Sequence, residues 1–286
     1  MGQTNWIRVG YYYNARYAFP ISNISSTLFT HLICAYAGVN YTSYEVSVSP
    51  DDEERFSSFT NIVKQKNPSV TILLSVGGSD DDYSTYSSMI SNSSYRKSFI
   101  HSSIKIARFY SFQGLEFAWP EATNSNHCID LGQPRVTYSP SLPLSKNYPI
   151  EMIKQHLNWV HVRPYGNTHP PSENLTGAHA ALYSQGNILN MDHGVREWIG
   201  KGLSANKLVL ILPFYGSAWM LQNPMVNGIG APAKKFSLNT NGGGGGTATY
   251  KEIKNYIEDY GPDVPLSVQL NLCRELLDKG ISLDWI

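Results

Sequence analysis

The stretch Val70–Gly78, which reads VTILLSVGG, is an almost uninterrupted apolar run that ends in two glycines. A strand with one face in water alternates apolar and polar residues, whereas a strand covered on both faces is apolar along its length. The run is therefore predicted to be a strand buried on both faces. Such strands are typical of parallel sheets that are covered by helices.

Seven other segments have strand character, and patterns of helical spacing separate most of them. The predicted strands are Arg8–Tyr13, Thr30–Val39, Val70–Gly78, Gly114–Trp119, Arg135–Ser139, Leu157–Tyr165, Lys207–Tyr215 and Ile281–Ile286. The predicted helices are Asp51–Lys66, the long region Tyr83–Phe109, Ile150–His156, Asp192–Lys201, Tyr250–Tyr260 and Leu270–Lys279. Eight strands alternating with helices favour an α/β fold, a (β/α)8 barrel that occupies residues 1–286 as a single domain. An open doubly wound sheet is the alternative, although no glycine-rich dinucleotide turn follows an early strand.

The charge balance argues against several classes of partner. Lys and Arg together number 22, as do Asp and Glu, so we expect neither a nucleic acid nor a membrane surface as partner. No run is long and apolar enough to cross a membrane. The three cysteines, Cys34, Cys128 and Cys273, lack the spacing of a metal site, so we expect no metal and no cofactor. Cys34 lies in an apolar run and is predicted to be a buried thiol, and we expect a monomer.

Four Asn-X-Ser/Thr triplets favour a secreted glycoprotein. They begin at Asn23, Asn40, Asn92 and Asn174. Residues 1–13 lack the basic start and apolar centre of a signal peptide. We therefore expect an extracellular protein whose signal peptide is absent from this chain.

A second stretch, Phe112–Glu121 (FQGLEFAWPE), reads as a strand that leaves a turn and ends at a proline. Residues two apart on a strand face the same side, so Glu116, Ala118 and Pro120 share one face. A carboxylate on a buried strand is costly unless it is paired. Whether the protein is an enzyme therefore depends largely on this strand.

Seven segments, in one order, carry a resemblance that spans nearly the whole chain. They are Gly10–Tyr12 (GYY), Ser26–Ala37 (STLFTHLICAYA), Lys66–Gly78 (KNPSVTILLSVGG), Arg96–Phe117 (RKSFIHSSIKIARFYSFQGLEF), Leu157–Tyr165 (LNWVHVRPY), Val195–Trp219 (VREWIGKGLSANKLVLILPFYGSAW) and Lys279–Trp285 (KGISLDW). Together they resemble the plant class V chitinases of glycoside hydrolase family 18. The resemblance implies a (β/α)8 TIM barrel, a cleft at the carboxyl ends of the strands, and chitin or chitooligosaccharides as partners.

The resemblance also implies a catalytic strand with three carboxylates, in the order Asp-x-Asp-x-Glu. The Glu protonates the glycosidic oxygen. The middle Asp orients the acetamido group of the substrate, which acts as the nucleophile, so these enzymes depart from the two-carboxylate scheme. The corresponding positions here are Glu116, Ala118 and Pro120. Ala118 has no polar group to hold an acetamido group, and Pro120 has no proton to give.

Other regions also depart from the family pattern. The family's Met-x-Tyr-Asp on the sixth strand is matched by Arg163–Gly166, which keeps Tyr165 and replaces the Asp by Gly166. Residues 121–134 are short and irregular, which predicts a weakened fourth helix. The insertion between strand 7 and strand 8, residues 220–262, is shortened.

Aromatic residues at strand ends supply the other half of the implied site, because ring faces stack on the apolar faces of sugars. By the resemblance, the substrate-binding residues are Tyr11, Tyr36, Trp119, Tyr215, Trp219 and Trp285. The tryptophan that corresponds to Trp285 forms the floor of the cleft in the family. Glu116 and Tyr165 are the retained members of the catalytic set, and the eight histidines are assigned to the core or the surface.

We therefore expect a chitinase-like carbohydrate-binding protein, a lectin or pseudoenzyme, that has lost hydrolytic activity. Two alternatives stay open. One is an active chitinase, an endo-acting N-acetylglucosaminidase, whose acid has moved, for example to Glu121. The other is a remnant that binds no ligand. A chitin pull-down combined with a hydrolysis assay separates the three hypotheses.

Overall fold

The computed structural model describes residues 6–13, 19–78, 83–118, 135–137, 150–163, 174–177, 180–183, 190–213, 215–217, 219–226, 228–235, 247–249, 255, 258 and 282–285. Within these ranges eight parallel strands join one sheet: β1 Arg8–Tyr13, β2 His31–Val39, β3 Thr71–Gly77, β4 Gly114–Ala118, β5 Arg135–Thr137, β6 Val160–Arg163, β7 Leu208–Leu212 and β8 Ser282–Trp285. The short strand Val46–Ser47 runs antiparallel to β2. The same ranges contain the α-helices α1 Pro50–Lys66, α2 Tyr83–Ser91, α3 Ser93–Phe109, α4 Ile150–His156 and α5 Met191–Gly200.

The strands follow the order β4-β3-β2-β1-β8-β7-β6-β5. Within this order each strand pairs with its neighbours in the sequence, β4 and β5 stand at the two ends, and the first strand pairs with the last, as in a (β/α)8 barrel. Arg8 of β1 is in register with Leu283 of β8, and Tyr11 is in register with Ile33 of β2. The predicted (β/α)8 TIM barrel is confirmed.

The apolar run that forms β3 is covered on both faces, as predicted. Ile72 and Leu74 are fully buried in a cluster that includes Phe56 of α1. Leu73 instead belongs to an inner cluster with Val209 of β7. The two clusters lie on opposite faces of the sheet because successive side chains of a strand alternate. Helices therefore cover the outer face of β3, and other strands cover its inner face.

The second half of the barrel has a helix-facing core of its own. Helices α4 and α5 pack against β6 and β7 through residues that are almost completely buried: Ile153, Val160, Val162, Met191, Trp198, Leu208 and Leu210. In the described part of the chain, this cluster shares no member with the cluster around α1 and β3. Among the described residues, the outer core therefore consists of two apolar layers, each built from one half of the chain.

The helical region predicted over Tyr83–Phe109 is broken into α2 and α3 by Asn92. The Asn92 side-chain oxygen accepts hydrogen bonds from the N–H groups of Ser94 at 2.8 Å and Tyr95 at 3.4 Å. These N–H groups belong to the first turn of α3 and have no partner within the helix. Asn92 is therefore the N-cap of α3, a position that asparagine favours.

Replacing Asn92 by Ala is expected to lower the free energy of unfolding by about 1 kcal/mol, because two N–H groups of α3 lose their acceptor. Urea unfolding of both proteins checks the value. Ser94→Ala is the matched control: it removes the same Asn-X-Ser triplet but leaves the Asn92 amide in place. An equal loss of stability in the two variants would contradict the capping role.

Two predicted strands are shorter in the structure. β7 ends at Leu212 rather than Tyr215, because Pro213 follows it and has no N–H for the ladder. β6 begins at Val160 rather than Leu157. The Leu157 N–H still donates to the carbonyl of Ile153 at 3.1 Å, so Leu157 closes the last turn of α4.

Two short antiparallel pairs follow β7. Tyr215–Ser217 pairs with Thr247–Thr249, and Trp219–Leu221 pairs with Ala233–Lys235. These pairs overlap the shortened insertion that is predicted over residues 220–262. The weakened fourth helix and most of the two helices predicted near the carboxyl terminus lie outside the described residues.

None of the helices in the described ranges combines the length and the hydropathy that crossing a membrane requires.

Candidate functional site

Glu116 lies in the middle of β4 with its carboxyl group inside the barrel, and only 3% of the residue is exposed. Tyr11 of β1 donates its hydroxyl to Oε1 at 2.6 Å, and Ser75 of β3 donates its hydroxyl to Oε2. Ser75 is in register with Glu116, so the sheet itself places the two side chains together. Hydrogen bonds of this kind compensate a buried carboxylate for its lost hydration.

The next residue on the same face of β4 is Ala118, which is also 3% exposed. It is in register with Gly77 of β3, and its carbonyl oxygen accepts a 2.7 Å hydrogen bond from the N–H of Gly78. Its methyl group neither donates nor accepts a hydrogen bond. Strand β4, Gly114–Ala118, therefore presents one carboxylate, that of Glu116.

Tyr36, near the carboxyl end of β2, packs against the backbone where β3 ends. Gly78 has a φ of +124°, a conformation that favours glycine, and a Cβ there would lie 3.2 Å from the Tyr36 ring. The Tyr36 ring also contacts Tyr13 of β1, with 5.4 Å between the ring centroids. The pair lies at the carboxyl ends of the strands, which is where (β/α)8 barrels carry their sites.

His161 of β6 also belongs to the site. From the sequence, this histidine is expected only in the core or on the surface. It is 2% exposed, and its Nδ1 atom lies 2.9 Å from the Tyr11 hydroxyl and 3.5 Å from Glu116 Oε1. Trp159 donates its indole Nε1–H to the other ring nitrogen, Nε2, at 2.7 Å. No local spacing links these residues, but the alternation on β6 offered a signal: Val160 is apolar and outward, so His161 faces inward.

A second histidine, His31 at the start of β2, lies in contact with the Trp159 ring. Its Nδ1 atom lies 2.9 Å from the Thr30 hydroxyl, and its ring meets Trp159 edge-on with 4.9 Å between the ring centroids. Burial lowers the pKa of His31 below its ordinary value. The inside of the barrel therefore holds a row of polar and aromatic side chains in contact, which runs from the start of β2 to the middle of β4.

The remaining predicted site residues lie either on the short strands after β7 or outside the described residues. Tyr215, 37% exposed, and Trp219, half-buried, lie on the short strands after β7. Trp119 and Tyr165 lie outside the described residues, as does the alternative acid Glu121.

For Trp285 the structure describes the backbone of β8 alone. Trp285 is in register with Gly10 of β1 and Leu212 of β7, and the preceding Asp284 is in register with Val9. Its place on the cleft floor stays a prediction.

The described site has the chemistry of a hydrogen-bonded, occluded carboxylate beside aromatic rings. Among the described residues, no three His, Cys, Asp or Glu side chains converge as a metal site requires. Glu116 is buried and bonded to two hydroxyls, so its carboxylate is directed at protein groups. The rings of Tyr13 and Tyr36 offer stacking surface at the end of the barrel.

The sequence is related to known proteins over most of its length. Residues 7–270 match the family described as Glycosyl hydrolases family 18. A class V chitinase of Arabidopsis thaliana is 35% identical over 279 residues, which cover 89% of this chain and 72% of that protein. Nod factor hydrolase protein 1 of Medicago truncatula is 30% identical over 254 residues, which cover 78% of this chain and 66% of that protein.

Solved structures of plant chitinases and chitinase-like proteins are also similar to this chain. A mutant of the class V chitinase of Nicotiana tobaccum in complex with NAG4 has a TM-score of 0.89 at 29% identity, over 98% of this chain and 93% of that one. The chitinase-like agglutinin of Robinia pseudoacacia has a TM-score of 0.84 at 28% identity, over 97% of this chain and 93% of that one. From the family match, the sequence relatives and the structural neighbours together, the chain belongs to glycosyl hydrolase family 18.

Proposed function

We propose that the protein binds chitooligosaccharides in a cleft at the carboxyl ends of the strands and does not hydrolyse them. One observation carries the proposal: on β4, the face that presents Glu116 continues with the buried methyl group of Ala118. In the family pattern this position carries the Asp that orients the acetamido nucleophile. An alanine there leaves the nucleophile without its partner.

Glu116 does not replace the missing groups. A general acid must come within hydrogen-bond reach of the glycosidic oxygen. The Glu116 carboxylate is 3% exposed and accepts hydrogen bonds from Tyr11 and Ser75. Its role is therefore to hold strands β1, β3 and β4 together at the floor of the cleft.

Sugar binding needs different groups from hydrolysis. Stacking on a ring lowers the free energy of the bound substrate, whereas the acids act on the transition state, and the two contributions are separable. The Tyr13–Tyr36 pair and the half-buried ring of Tyr11 supply such surfaces at one end of the barrel. The NAG4 complex of the tobacco relative and the agglutinin among the structural neighbours support a saccharide ligand.

Replacing Trp285 by Ala is expected to weaken binding of a chitin hexamer about tenfold. The reason is that a sugar would lose its stacking partner on the cleft floor. Aromatic stacking contributes about 0.5–1.5 kcal/mol beyond the burial of surface area. Isothermal titration calorimetry of both proteins gives the two affinities. Phe109→Ala is the matched control, since Phe109 is an aromatic residue that is 76% exposed at the far end of α3.

Equal affinities of the wild type and Trp285→Ala would remove Trp285 from the site. The absence of heat from the wild type, together with the absence of protein in a chitin pull-down, would instead support the remnant hypothesis. Asp284→Ala in the same series tests the adjacent residue of β8. Asp284 and Trp285 are successive residues of this strand, so their side chains face opposite sides of the sheet.

We also propose that the protein acts outside the cell and carries N-linked glycans. The acceptor asparagines of all four Asn-X-Ser/Thr triplets, Asn23, Asn40, Asn92 and Asn174, are exposed on the surface. Endoglycosidase treatment of the protein from its native source is expected to increase its electrophoretic mobility. An unchanged mobility, with unmodified peptides at all four positions in mass spectra, would contradict the glycoprotein assignment.

A further inference from the structure

Trp159, His161 and Tyr11 form a hydrogen-bonded chain that ends at Glu116. The indole Nε1–H of Trp159 points at His161 Nε2 across 2.7 Å. His161 Nδ1 lies 2.9 Å from the Tyr11 hydroxyl, and that hydroxyl lies 2.6 Å from Glu116 Oε1. All four residues are buried or half-buried, and they come from β1, β4, β6 and the residue just before β6.

The indole group determines where each proton of this chain lies. An indole nitrogen can donate a hydrogen bond but cannot accept one. Nε2 of His161 therefore accepts and carries no proton, so the neutral ring holds its proton on Nδ1. The Nδ1–H group donates to the Tyr11 oxygen, and the single hydroxyl proton of Tyr11 is directed to Glu116.

A doubly protonated His161 does not fit this geometry. Its Nε2–H would face the indole N–H of Trp159 across 2.7 Å, and two facing donors leave both unsatisfied. The 3.5 Å approach of Nδ1 to Glu116 Oε1 is thus a contact between a neutral ring and a carboxylate. Trp159 keeps His161 in one tautomer, and His161 keeps Tyr11 in one orientation.

We propose that Trp159 and His161 are positioning residues for Tyr11 in the saccharide site. They hold the Tyr11 hydroxyl on Glu116, so the half-buried ring has a fixed orientation before a ligand arrives. Fixing a binding group in advance lowers the cost of ordering it on binding. The site then presents a ring face to the sugar instead of a carboxylate. The saccharide part of this proposal rests on the proposed function, whereas the proton positions do not.

The first test needs no ligand, and its deciding measurement uses the wild-type protein. Nitrogen chemical shifts of the wild-type protein labelled with 15N-histidine report the protonation of both ring nitrogens. The expected result for His161 is a protonated Nδ1 and an unprotonated Nε2. A ring with a protonated Nε2, whether neutral or doubly protonated, overturns the proposal. In Trp159→Phe, which keeps an aromatic ring but lacks the N–H donor, the signals are expected to move toward a mixture of tautomers.

The second test is a double-mutant cycle on the affinity for a chitin hexamer. Trp159→Phe is expected to weaken binding about fivefold, the loss of one typical hydrogen bond. If Trp159 acts through the Tyr11 hydroxyl, the same substitution has no effect in the Tyr11→Phe background. A Trp159→Phe effect of equal size in both backgrounds means that the residue only packs, which overturns the positioning role.

The two tests separate this proposal from the proposed function. A wild type that fails to bind chitin but shows the expected His161 tautomer overturns the saccharide site and leaves the proton positions established. If the wild type binds chitin but His161 carries a proton on Nε2, the positioning role of Trp159 and His161 is overturned and the saccharide site stands.

Discussion

No measurable release of chromophore from a chitooligosaccharide glycoside is expected from this protein. Its rate should lie at least about 10²–10⁴-fold below that of an intact family member, since general acid catalysis alone contributes that factor. Pro120 has no proton to give, Ala118 cannot hold the acetamido group, and Glu116 is buried beneath the hydroxyls of Tyr11 and Ser75. The measurement is the initial rate beside an intact plant class V chitinase at equal concentration.

A matched pair of variants tests the cause of the loss. The first variant combines Ala118→Asp, Pro120→Glu and Gly166→Asp, and the second carries Pro120→Gln in place of Pro120→Glu. Activity in the first and none in the second would attribute the loss to the missing acid. Wild-type turnover that disappears in Glu121→Gln would overturn the prediction and identify Glu121 as a relocated acid.

Raising the pH from 8 to 11 is expected to destabilise the wild type relative to Cys34→Ala by about 3 kcal/mol. Cys34 is a free, fully buried thiol in β2, as predicted. Burial raises its pKa from 9.0 to about 12, although the nearby Arg55 guanidinium opposes the change. In the unfolded chain the thiol loses its proton near pH 9, whereas in the native state it keeps the proton until about pH 12. Deprotonation in this window therefore favours the unfolded chain.

Urea unfolding of the two proteins at pH 8, 9, 10 and 11 measures the effect. Tyr110, whose pKa burial also raises, is present in both proteins and cancels in the difference. Tyr12, whose pKa is raised mainly by burial and to a smaller extent by Cys34, cancels except for the part that Cys34 contributes. Curves of unfolding free energy against pH that stay parallel for the wild type and Cys34→Ala would contradict the prediction.

The barrel was predictable from the sequence because its signals are local. The run Val70–Gly78 is apolar apart from Thr71 and Ser75, since β3 is covered on both faces, and its structural bounds differ by one residue at each end. The break at Asn92 was missed because serine-rich segments on both sides keep a helical spacing, and the cap depends on one side-chain oxygen.

The candidate site was predictable only in part. Glu116 and Tyr11 were identified through the family resemblance, and the structure brings them into contact. His161 was not identified because its partner Tyr11 lies 150 positions away in the chain. Such a contact is created by closure of the barrel, and no spacing within β6 encodes it. The alternation of Val160, His161 and Val162 indicated the inward direction of His161 but could not name its partners.

The pairing of β1 with β8 has a consequence for how the protein is made. Arg8, Val9 and Gly10 are in register with Leu283, Asp284 and Trp285, so these ladder bonds cannot form until residue 285 has left the ribosome. Throughout synthesis β1 has one neighbour, β2, and its other edge is open to pairing with another chain. That edge of β1 therefore stays unpaired until synthesis of the chain is almost complete, and an unpaired strand edge makes a folding chain prone to aggregate.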